Sequence, residues 1–358
     1  MRTHGNYPWH RGALLRALGS RDDPDSVAAA IEGRGAREVE DLVVAAGGVA
    51  AAVRTEADWR AQPPGQAVAA APLVEGCQHR SATWDGVFSI GGAPPRRRTA
   101  GALPASGIRV LDLTRVIAGP VTTRFLASLG AEVLRLDRPD RPELPSQRYD
   151  GLLGKRSALL EFDTPGGNAR LHELLSGADV LVHGYRPHAL DRFGLAREAL
   201  AERHPGLVVV SLSAWGSAGP WGGRRGFDSI VQAACGIAVA ESPDGKHPGA
   251  LPCQLLDHGT GYLCAAAVLR ALAAQATRGG TLFRELSLAR TGHWLLSQPR
   301  GEPVAAAPAD RDPGPWLTTV GSAEGPVTVV KPLGRLDGQE LAWPSPLSRY
   351  GGDPPAWS

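Results

Sequence analysis

The sequence predicts an α/β protein. Its main part is a Rossmann-like, mostly parallel sheet with helices on both faces, joined to a smaller helical or α+β region at the N-terminal side. From residue 107 onward, short apolar runs alternate with helical stretches, whereas residues 1–75 carry only Ala-rich, helix-like patterns. Short buried strands separated by helices pair in parallel, because each helix returns the chain across the sheet.

Composition and pattern divide the chain into four predicted segments. They are a small-domain-like helical region at 1–75, a Gly-, Pro- and Arg-rich connector at 76–106, a large domain at 107–298, and a Pro- and Gly-rich tail at 299–358. A hairpin is predicted in the tail around PVTVVKPLGRLDG.

Within the large domain, each predicted strand is a short apolar run bounded by Gly, Pro or charged residues. The strands are predicted to begin near Ile108, Glu132, Ser157, Asp179 and Leu207. The stretches GPVTTRFLASLGA and TPGGNARLHELLSGA predict the helices between them, the first with Pro120 near its first position.

Charge and cysteine content restrict the partners of the protein. Lys plus Arg number 38 and Asp plus Glu 36 among 358 residues, so no overall field favours nucleic acid or a membrane surface. The four cysteines show no metal-ligand spacing and are expected to be reduced. No apolar run is long enough to span a bilayer, and no secretory signal precedes the first helix. The sequence thus predicts a cytoplasmic protein without a metal, nucleic-acid or membrane partner.

One carboxylate precedes the long apolar run QLLDHGTGYLCAAAVLRAL at 254–272. Asp257 is followed by Leu263, Ala267 and Leu272 at helical spacing, so on spacing alone it is expected to cap a core-facing helix. Its alternative interpretation is a reactive carboxylate at the helix start.

A turn containing Ala118, Gly119 and Pro120 joins the first predicted strand to its helix. Such turns bring backbone N–H groups and a helix N-terminus to a ligand at the carboxyl ends of parallel strands. The dinucleotide fingerprint GxGxxG is absent.

The order of several separated motifs is more specific than any one of them. VLDLTRVIAGP with LGAEVLRLDRP is followed by GKRSALLEFDTPGG, ADVLVHGYRPHALDRFGL, HPGLVVVSLSAWGSAGPWGGRRGFDSIVQAACG and LLDHGTGYLCAAAVLRAL. Over about 107–290, this series resembles the family III CoA-transferases, the CaiB/BaiF group.

The resemblance implies that Asp257 is the nucleophile of an acyl-CoA:carboxylic acid CoA-transferase. A carboxylate can attack an acyl-CoA thioester to give a mixed anhydride and can then carry CoA as an aspartyl thioester. The helix N-terminus would keep that carboxylate ionised, and its amides would support the developing oxyanion. Acyl-CoA and an acceptor acid are then substrates, and no permanently bound cofactor is expected.

Carried over by position, the resemblance also implies a CoA site. The implied contacts are Arg115, Val116, Ile117, Ala118, Arg138, Gly184, Tyr185, Arg192 and Arg225. Arg138 and Arg192 would hold nucleotide phosphates, for which guanidinium forks are suited, and Arg225 falls where some members have a basic residue. Tyr185 would lie against the adenine. The alternative for each arginine taken singly is a solvated surface charge.

The chain departs from the family pattern at several points. Gly184 stands where many members have Asn and Asp163 where many have Lys, and the glycine-rich lid has no clear counterpart after residue 290. The stretch 37–75, with its AGG and TxxxW, resembles the end of the family's small domain yet precedes the catalytic segment. This order predicts a permuted or tandem protein whose earlier half is missing, with Met1 as a late start. An interlocked homodimer is the assembly that the resemblance implies.

Two other functions stay open. The family's α-methylacyl-CoA racemases use a His where this chain has Phe227, whose ring exchanges no proton, so this activity ranks below transfer. A non-catalytic CoA-binding scaffold would account for the altered contacts. Trp215 and Trp221, in SAWGSAGPWGG, either line a pocket for an apolar acid or pack their loop.

Overall fold

The computed structural model describes residues 1–79, 103–299, 301, 312–344 and 346–358. Most of the predicted connector, residues 80–102, lies outside the described residues. Within the described part, no helix is both long enough and apolar enough to cross a membrane. That part also contains no group of three or more His, Cys, Asp or Glu residues arranged to hold a metal ion. All four cysteines are free thiols.

Helices account for much of the described chain. In chain order they are α1 (Pro8–Leu18), α2 (Pro24–Ile31), α3 (Ala36–Ala45), α4 (Glu56–Ala61), α5 (Pro63–Ala70), α6 (Ala118–Ser128), α7 (Pro145–Gly151), α8 (Pro165–Ser176), α9 (Arg197–Arg203), α10 (Asp228–Cys235), α11 (Ile237–Ala240), α12 (Leu255–Arg278) and α13 (Leu288–Leu296). Short 3-10 helices cover Asp191–Phe193 and Gly314–Trp316.

The strands are mostly short. In chain order they are β1 (Arg2–Thr3), β2 (Ala50–Ala51), β3 (Glu75–His79), β4 (Arg109–Leu113), β5 (Glu132–Asp137), β6 (Arg156–Leu159), β7 (Val180–His183), β8 (Val208–Ser213), β9 (Thr281–Ser287), β10 (Leu317–Val320), β11 (Val327–Val330), β12 (Arg335–Leu336) and β13 (Gln339–Glu340).

The chain divides into two compact units, each assembled from separate stretches of sequence. Unit 1 contains Met1–Glu75, Leu212–Thr260 and Glu285–Gln298, and unit 2 contains Gly76–Ser211, Gly261–Arg284 and Pro299–Ser358. In unit 1, α1 and α3 enclose a small core with Leu14, Val39 and Val43.

A seven-stranded sheet forms the centre of unit 2, in the order β3-β9-β8-β7-β4-β5-β6. β4 pairs in parallel with β5 and β7, β5 with β6, and β7 with β8. The predicted α/β class is confirmed, and β4 to β8 begin within one residue of the five predicted starts. Leu111, Leu134 and Leu181 lie in the core of this sheet, because buried parallel strands are apolar on both faces.

The strand order contains a reversal. From β4 the chain moves outward through β5 and β6, and it then returns to the other side of β4 as β7 and β8. Crevices for ligands form where the strand order reverses in this way, at the carboxyl ends of the strands. The ends of β4, β5 and β7 therefore mark the ligand edge of the sheet.

The helix after β4 begins at Ala118, so Pro120 is its third residue rather than near its first as predicted. Gly119 is required there, because a Cβ at this position would lie 2.2 Å from the Cβ of Thr114. The close approach of α6 to the preceding turn depends on this missing side chain.

The tail contains two antiparallel hairpins, one from β10 and β11 and one from β12 and β13. The segment PVTVVKPLGRLDG, where a hairpin was predicted, is shared between them, because its VTVV strand pairs with the preceding β10. Val329 and Leu347 of the tail pack on Leu152 and Leu153 in a small core of their own.

Candidate active site

Asp257 lies in the first turn of α12, as its third residue, in unit 1. The interpretation of Asp257 as a simple helix cap is therefore wrong. Asp257 is 6% exposed, and no described residue donates a hydrogen bond to its carboxylate. A buried carboxylate without donors is a costly arrangement, and such groups concentrate at functional sites.

A second carboxylate, that of Asp228, holds the start of α12. Asp228 is the first residue of α10 and is 1% exposed. Its Oδ2 accepts the backbone N–H of Asp257 at 3.0 Å, and its Oδ1 accepts the side-chain amide of Gln232. The carbonyl of that amide accepts the N–H of Leu251 at 2.9 Å, which fixes the chain before α12.

Burial is the main cause of the raised pKa of both carboxyls, and the nearby Asp228 charge adds to it for Asp257. Burial, and then the charge of Asp228, raise the pKa of Asp257 well above its ordinary value. Burial raises the pKa of Asp228 as well, in spite of the N–H donors that it accepts. The expected role of the α12 amides as oxyanion donors fails for the Asp257 N–H, because Asp228 already occupies it.

Phe227, which directly precedes Asp228 in the sequence, is stacked on His4. Their ring centroids are 3.8 Å apart with planes 13° from parallel, and burial lowers the pKa of His4 to about 4. Phe227 is thus a packed ring beside a neutral imidazole, with no proton to exchange.

The two tryptophans of the SAWGSAGPWGG loop in unit 1 serve in packing. Trp215 and Trp221 are buried, 4.7 Å apart between ring centroids, and both contact Trp59, so these indoles pack their loop. The carbonyl of Arg225 accepts the indole N–H of Trp215 at 3.2 Å, which holds Arg225 at the end of that loop.

In unit 2, the turn after β4 is shaped by carboxylates beneath it. Asp112 is fully buried, accepts the N–H of Thr114 at 2.8 Å and pairs with Lys155 Nζ at 2.9 Å. Val116 has a left-handed backbone with φ 68°, and its N–H donates to Glu143 at 2.9 Å. Val116 therefore does not offer its own N–H to a ligand.

The start of α6 is the part of this turn that has no side-chain cap. Ile117 precedes the helix without a side-chain cap, and Ala118 begins it. The first amides of a helix have no partner within the helix and attract anions. The Arg115 side chain donates to the carbonyl of Pro142 at 2.7 Å and lies 3.9 Å from Glu143.

The predicted contacts after β5 and β7 lie at the same ligand edge. Arg138 follows β5, whereas Gly184 is exposed and Tyr185 half-buried after β7. Burial raises the pKa of Tyr185, and the charges of Arg115 and Arg138 oppose that rise. The structure thus brings Arg115, Arg138 and Tyr185 together.

Arg192 joins Arg138 through a carboxylate between them. Asp163, in the loop after β6, pairs with an Nη of Arg138 and, at 3.1 Å, with an Nη of Arg192. Asp140 also pairs with Arg138, at 2.9 and 3.0 Å. Arg192 lies over the ring of Phe193, 4.5 Å from its centroid.

Sequence reasoning assigned no role to Asp228, Glu143 or Asp140. Asp228 opens the stretch DSIVQAAC, which is the signal of an ordinary helix start. Asp163 was noticed as a departure from the family pattern, but its pairing with two arginines was not expected.

The chain is similar to known CoA-transferases. The model of CoA-transferase family III matches residues 105–315. A probable fatty acyl-CoA transferase, Rv3272 of Mycobacterium tuberculosis, is 35% identical over 185 residues, which are 48% of this chain and 47% of that protein. The succinate–glutarate CoA-transferase of Agrobacterium fabrum is 32% identical over 188 residues, 47% of each chain.

Solved structures show the same relationship. A crystal structure of Rv3272 has a TM-score of 0.51 at 31% identity over 55% of this chain and 57% of that one. A second crystal structure, of a point mutant of Rv3272, has a TM-score of 0.61 at 21% identity over 70% of this chain and 97% of that one, which shows the shared fold. The chain spans about a third to a half of the length of the curated relatives it matches.

Proposed function

Because the chain belongs to CoA-transferase family III, we propose that it transfers CoA between an acyl-CoA and a carboxylic acid, with Asp257 as the covalent nucleophile. One observation carries the proposal. The Asp257 carboxylate, where the family resemblance implies the nucleophile, is buried and accepts no hydrogen bond from the described residues. A carboxylate that is desolvated and not engaged by donors keeps its lone pairs for attack.

The reaction proceeds by exchange at acyl carbons. An Asp257 oxygen attacks the thioester carbonyl, the C–S bond breaks, and CoA thiolate leaves a mixed anhydride. The thiolate then attacks the aspartyl carbonyl, forms an aspartyl-CoA thioester and releases the first acid. The acceptor carboxylate attacks this thioester, expels CoA thiolate and forms a second mixed anhydride. The thiolate then attacks the acyl carbonyl of that anhydride, which gives the new acyl-CoA and restores the Asp257 carboxylate.

The unit 2 residues are proposed to bind CoA at the ligand edge of the sheet. The start of α6 at Ile117 and Ala118 would face the thioester end, since anionic oxygen is stabilised by unpaired helix amides. Arg138 and Arg192 would hold nucleotide phosphates, with Tyr185 beside the adenine. Gly184 can offer the ligand only its backbone groups, whereas an Asn at this position would also offer a side-chain amide.

The chain is also proposed to form a homodimer, which is the assembly that the family resemblance implies. This proposal is independent of the catalytic one, because it concerns a second copy of the chain and not the Asp257 carboxylate. Light scattering should give twice the 37.5 kDa mass of one chain. A mass of one chain under dilute conditions would contradict the dimer.

The test of the nucleophile is trapping of the adduct. Incubation with labelled acyl-CoA and hydroxylamine should convert Asp257 to a hydroxamate, detectable by peptide mass spectrometry, because anhydrides and thioesters react with hydroxylamine. Asp257→Asn should abolish the adduct and lower turnover by several orders of magnitude. Asp25→Asn is the matched control, since Asp25 is an exposed acid in the first turn of α2.

A non-catalytic CoA-binding scaffold is the second candidate. It is favoured by the pairing of both proposed phosphate arginines with Asp163. CoA binding without an adduct and without turnover of any acid would support the scaffold, whereas an adduct at Asp257 would exclude it.

A further inference from the structure

Two arginines and two carboxylates form a charge-balanced network at the proposed phosphate site. Asp163 bridges Arg138 and Arg192, and Asp140 holds Arg138 through a bidentate pair. The side chain of Arg138 is 17% exposed, whereas those of Arg192 and Asp163 are 65% and 45% exposed. A phosphate can reach this network from solvent, but both guanidinium groups already have an anionic partner.

We propose that Asp163 is an internal competitor of nucleotide phosphates and sets the affinity of the site for CoA. This inference rests on the proposed CoA-binding function. Asp163 contacts one Nη atom of each arginine, and these are the donors that a phosphate would use in a fork. A phosphate must displace the carboxylate or bind beside a like charge. Either event lowers affinity for ligands with phosphate charge and leaves phosphate-free pantetheine thioesters unaffected.

The expected size of the effect follows from the exposure of the pairs. Exposed ion pairs contribute little individually, and two of them change an affinity by a few-fold to about thirtyfold. Since Asp163 also repels an incoming phosphate, its neutralisation should tighten CoA binding by about tenfold.

Asp163→Asn tests the proposal by removing the charge of Asp163, and with it the two ion pairs to Arg138 and Arg192. The side chain of Thr164, not that of Asp163, caps α8 by accepting the N–H of Gly167, so folding should be unchanged. Asp191→Asn is the matched control. The Asp191 side chain is 43% exposed and pairs with His188, although it adjoins Arg192 in sequence.

Calorimetric titration with CoA should show about tenfold tighter binding for Asp163→Asn and less than about a twofold change for Asp191→Asn. In the Arg192→Ala background, the gain from Asp163→Asn should fall below about threefold, because Arg192 is missing and Asp140 still pairs with Arg138. The gain should also shrink as salt is raised from about 50 to about 500 mM, because salt screens exposed charges.

The outcomes separate this inference from the function on which it rests. CoA binding by the parent chain that is unchanged in Asp163→Asn would overturn the role of Asp163 alone. A gain equally large in Asp191→Asn would also overturn it, since a general charge effect would then suffice. Failure of every variant to bind CoA would overturn the proposed function, and the role of Asp163 with it.

Discussion

Asp257 and Asp228 place two carboxyls at the start of α12, and burial together with the charge of Asp228 raises the free energy of ionising Asp257. The proposed nucleophile must be ionised to attack. The acid limb of the pH–rate profile therefore reports the ionisation of this pair of carboxyls. The Asp228–Asp257 hydrogen bond could not be read from the sequence, since 29 residues separate the two positions.

The first residue-scale prediction concerns Asp228→Asn. An Asn oxygen can still accept the Asp257 N–H, but the negative charge beside Asp257 is gone. We expect the acid limb of the pH dependence of adduct formation to move to lower pH, because the pKa of Asp257 then falls. Glu241→Gln, an exposed charge removal in the same unit, should leave the limb unchanged. If Asp228→Asn alters only the melting temperature, Asp228 has a purely structural role.

The second residue-scale prediction concerns the stability of Asp257→Asn. A carboxyl whose pKa is raised by folding stabilises the fold while protonated, and this contribution disappears as pH rises through the folded-state pKa. Above that pH, the buried charge of Asp257 opposes folding, whereas a neutral Asn does not. We expect the variant to melt above the parent at about pH 8, and the difference to decrease as pH is lowered toward about 4. A lower melting temperature of the variant at the alkaline end would contradict this expectation.

At the scale of elements, the strands were predictable because they are short, mostly apolar segments between Gly, Pro and charged residues. Their ends at the ligand edge followed from parallel pairing, which placed Arg138 and Tyr185 near the β4 turn. The start of α6 was placed too late, because Pro120 favours a first helical position that the packing of Gly119 on Thr114 overrides. The pairing of Asp163 with Arg138 and Arg192 could not be predicted, because these residues lie in separate segments that only the tertiary structure brings together.

The β4 turn itself depends on a buried ion pair. Asp112 and Lys155 are fully buried, and burial lowers the pKa of Lys155 to about 8 against the opposing charge of Asp112. Removal of Lys155 leaves the buried Asp112 charge without its ion-pair partner, so Lys155→Met should lower the free energy of unfolding by about 3–5 kcal/mol in urea denaturation. Asp112→Asn combined with Lys155→Met keeps an acceptor for Thr114 and should recover part of that loss. A cost below about 1 kcal/mol for Lys155→Met would refute this role.

At the scale of the whole molecule, the two units draw on interleaved stretches of the chain. Residues 212–260 and 285–298, which the sequence pattern groups with the large domain, pack in unit 1. No local periodicity encodes that choice, because it depends on contacts between residues far apart in sequence. The segment boundaries at 75, 106 and 298 remain predictions.

Binding of CoA to the folded chain should stabilise the whole molecule by mass action. A ligand that binds only the native state adds about 2.7 kcal/mol when its concentration is about a hundred times its Kd. The proposed contacts of Arg138 and Arg192 are with phosphates, so thermal melts should show a larger shift with CoA than with pantetheine, and a shift with CoA that decreases in high salt. Arg138 follows β5 and Arg192 follows β7, and both strands are neighbours of β4. The carboxyl ends of parallel strands lie at one edge of the sheet, so these arginines and the start of α6 belong to the same ligand edge. Equal stabilisation by pantetheine and CoA would show instead that the phosphates bind elsewhere or not at all, and would remove Arg138 and Arg192 from the site.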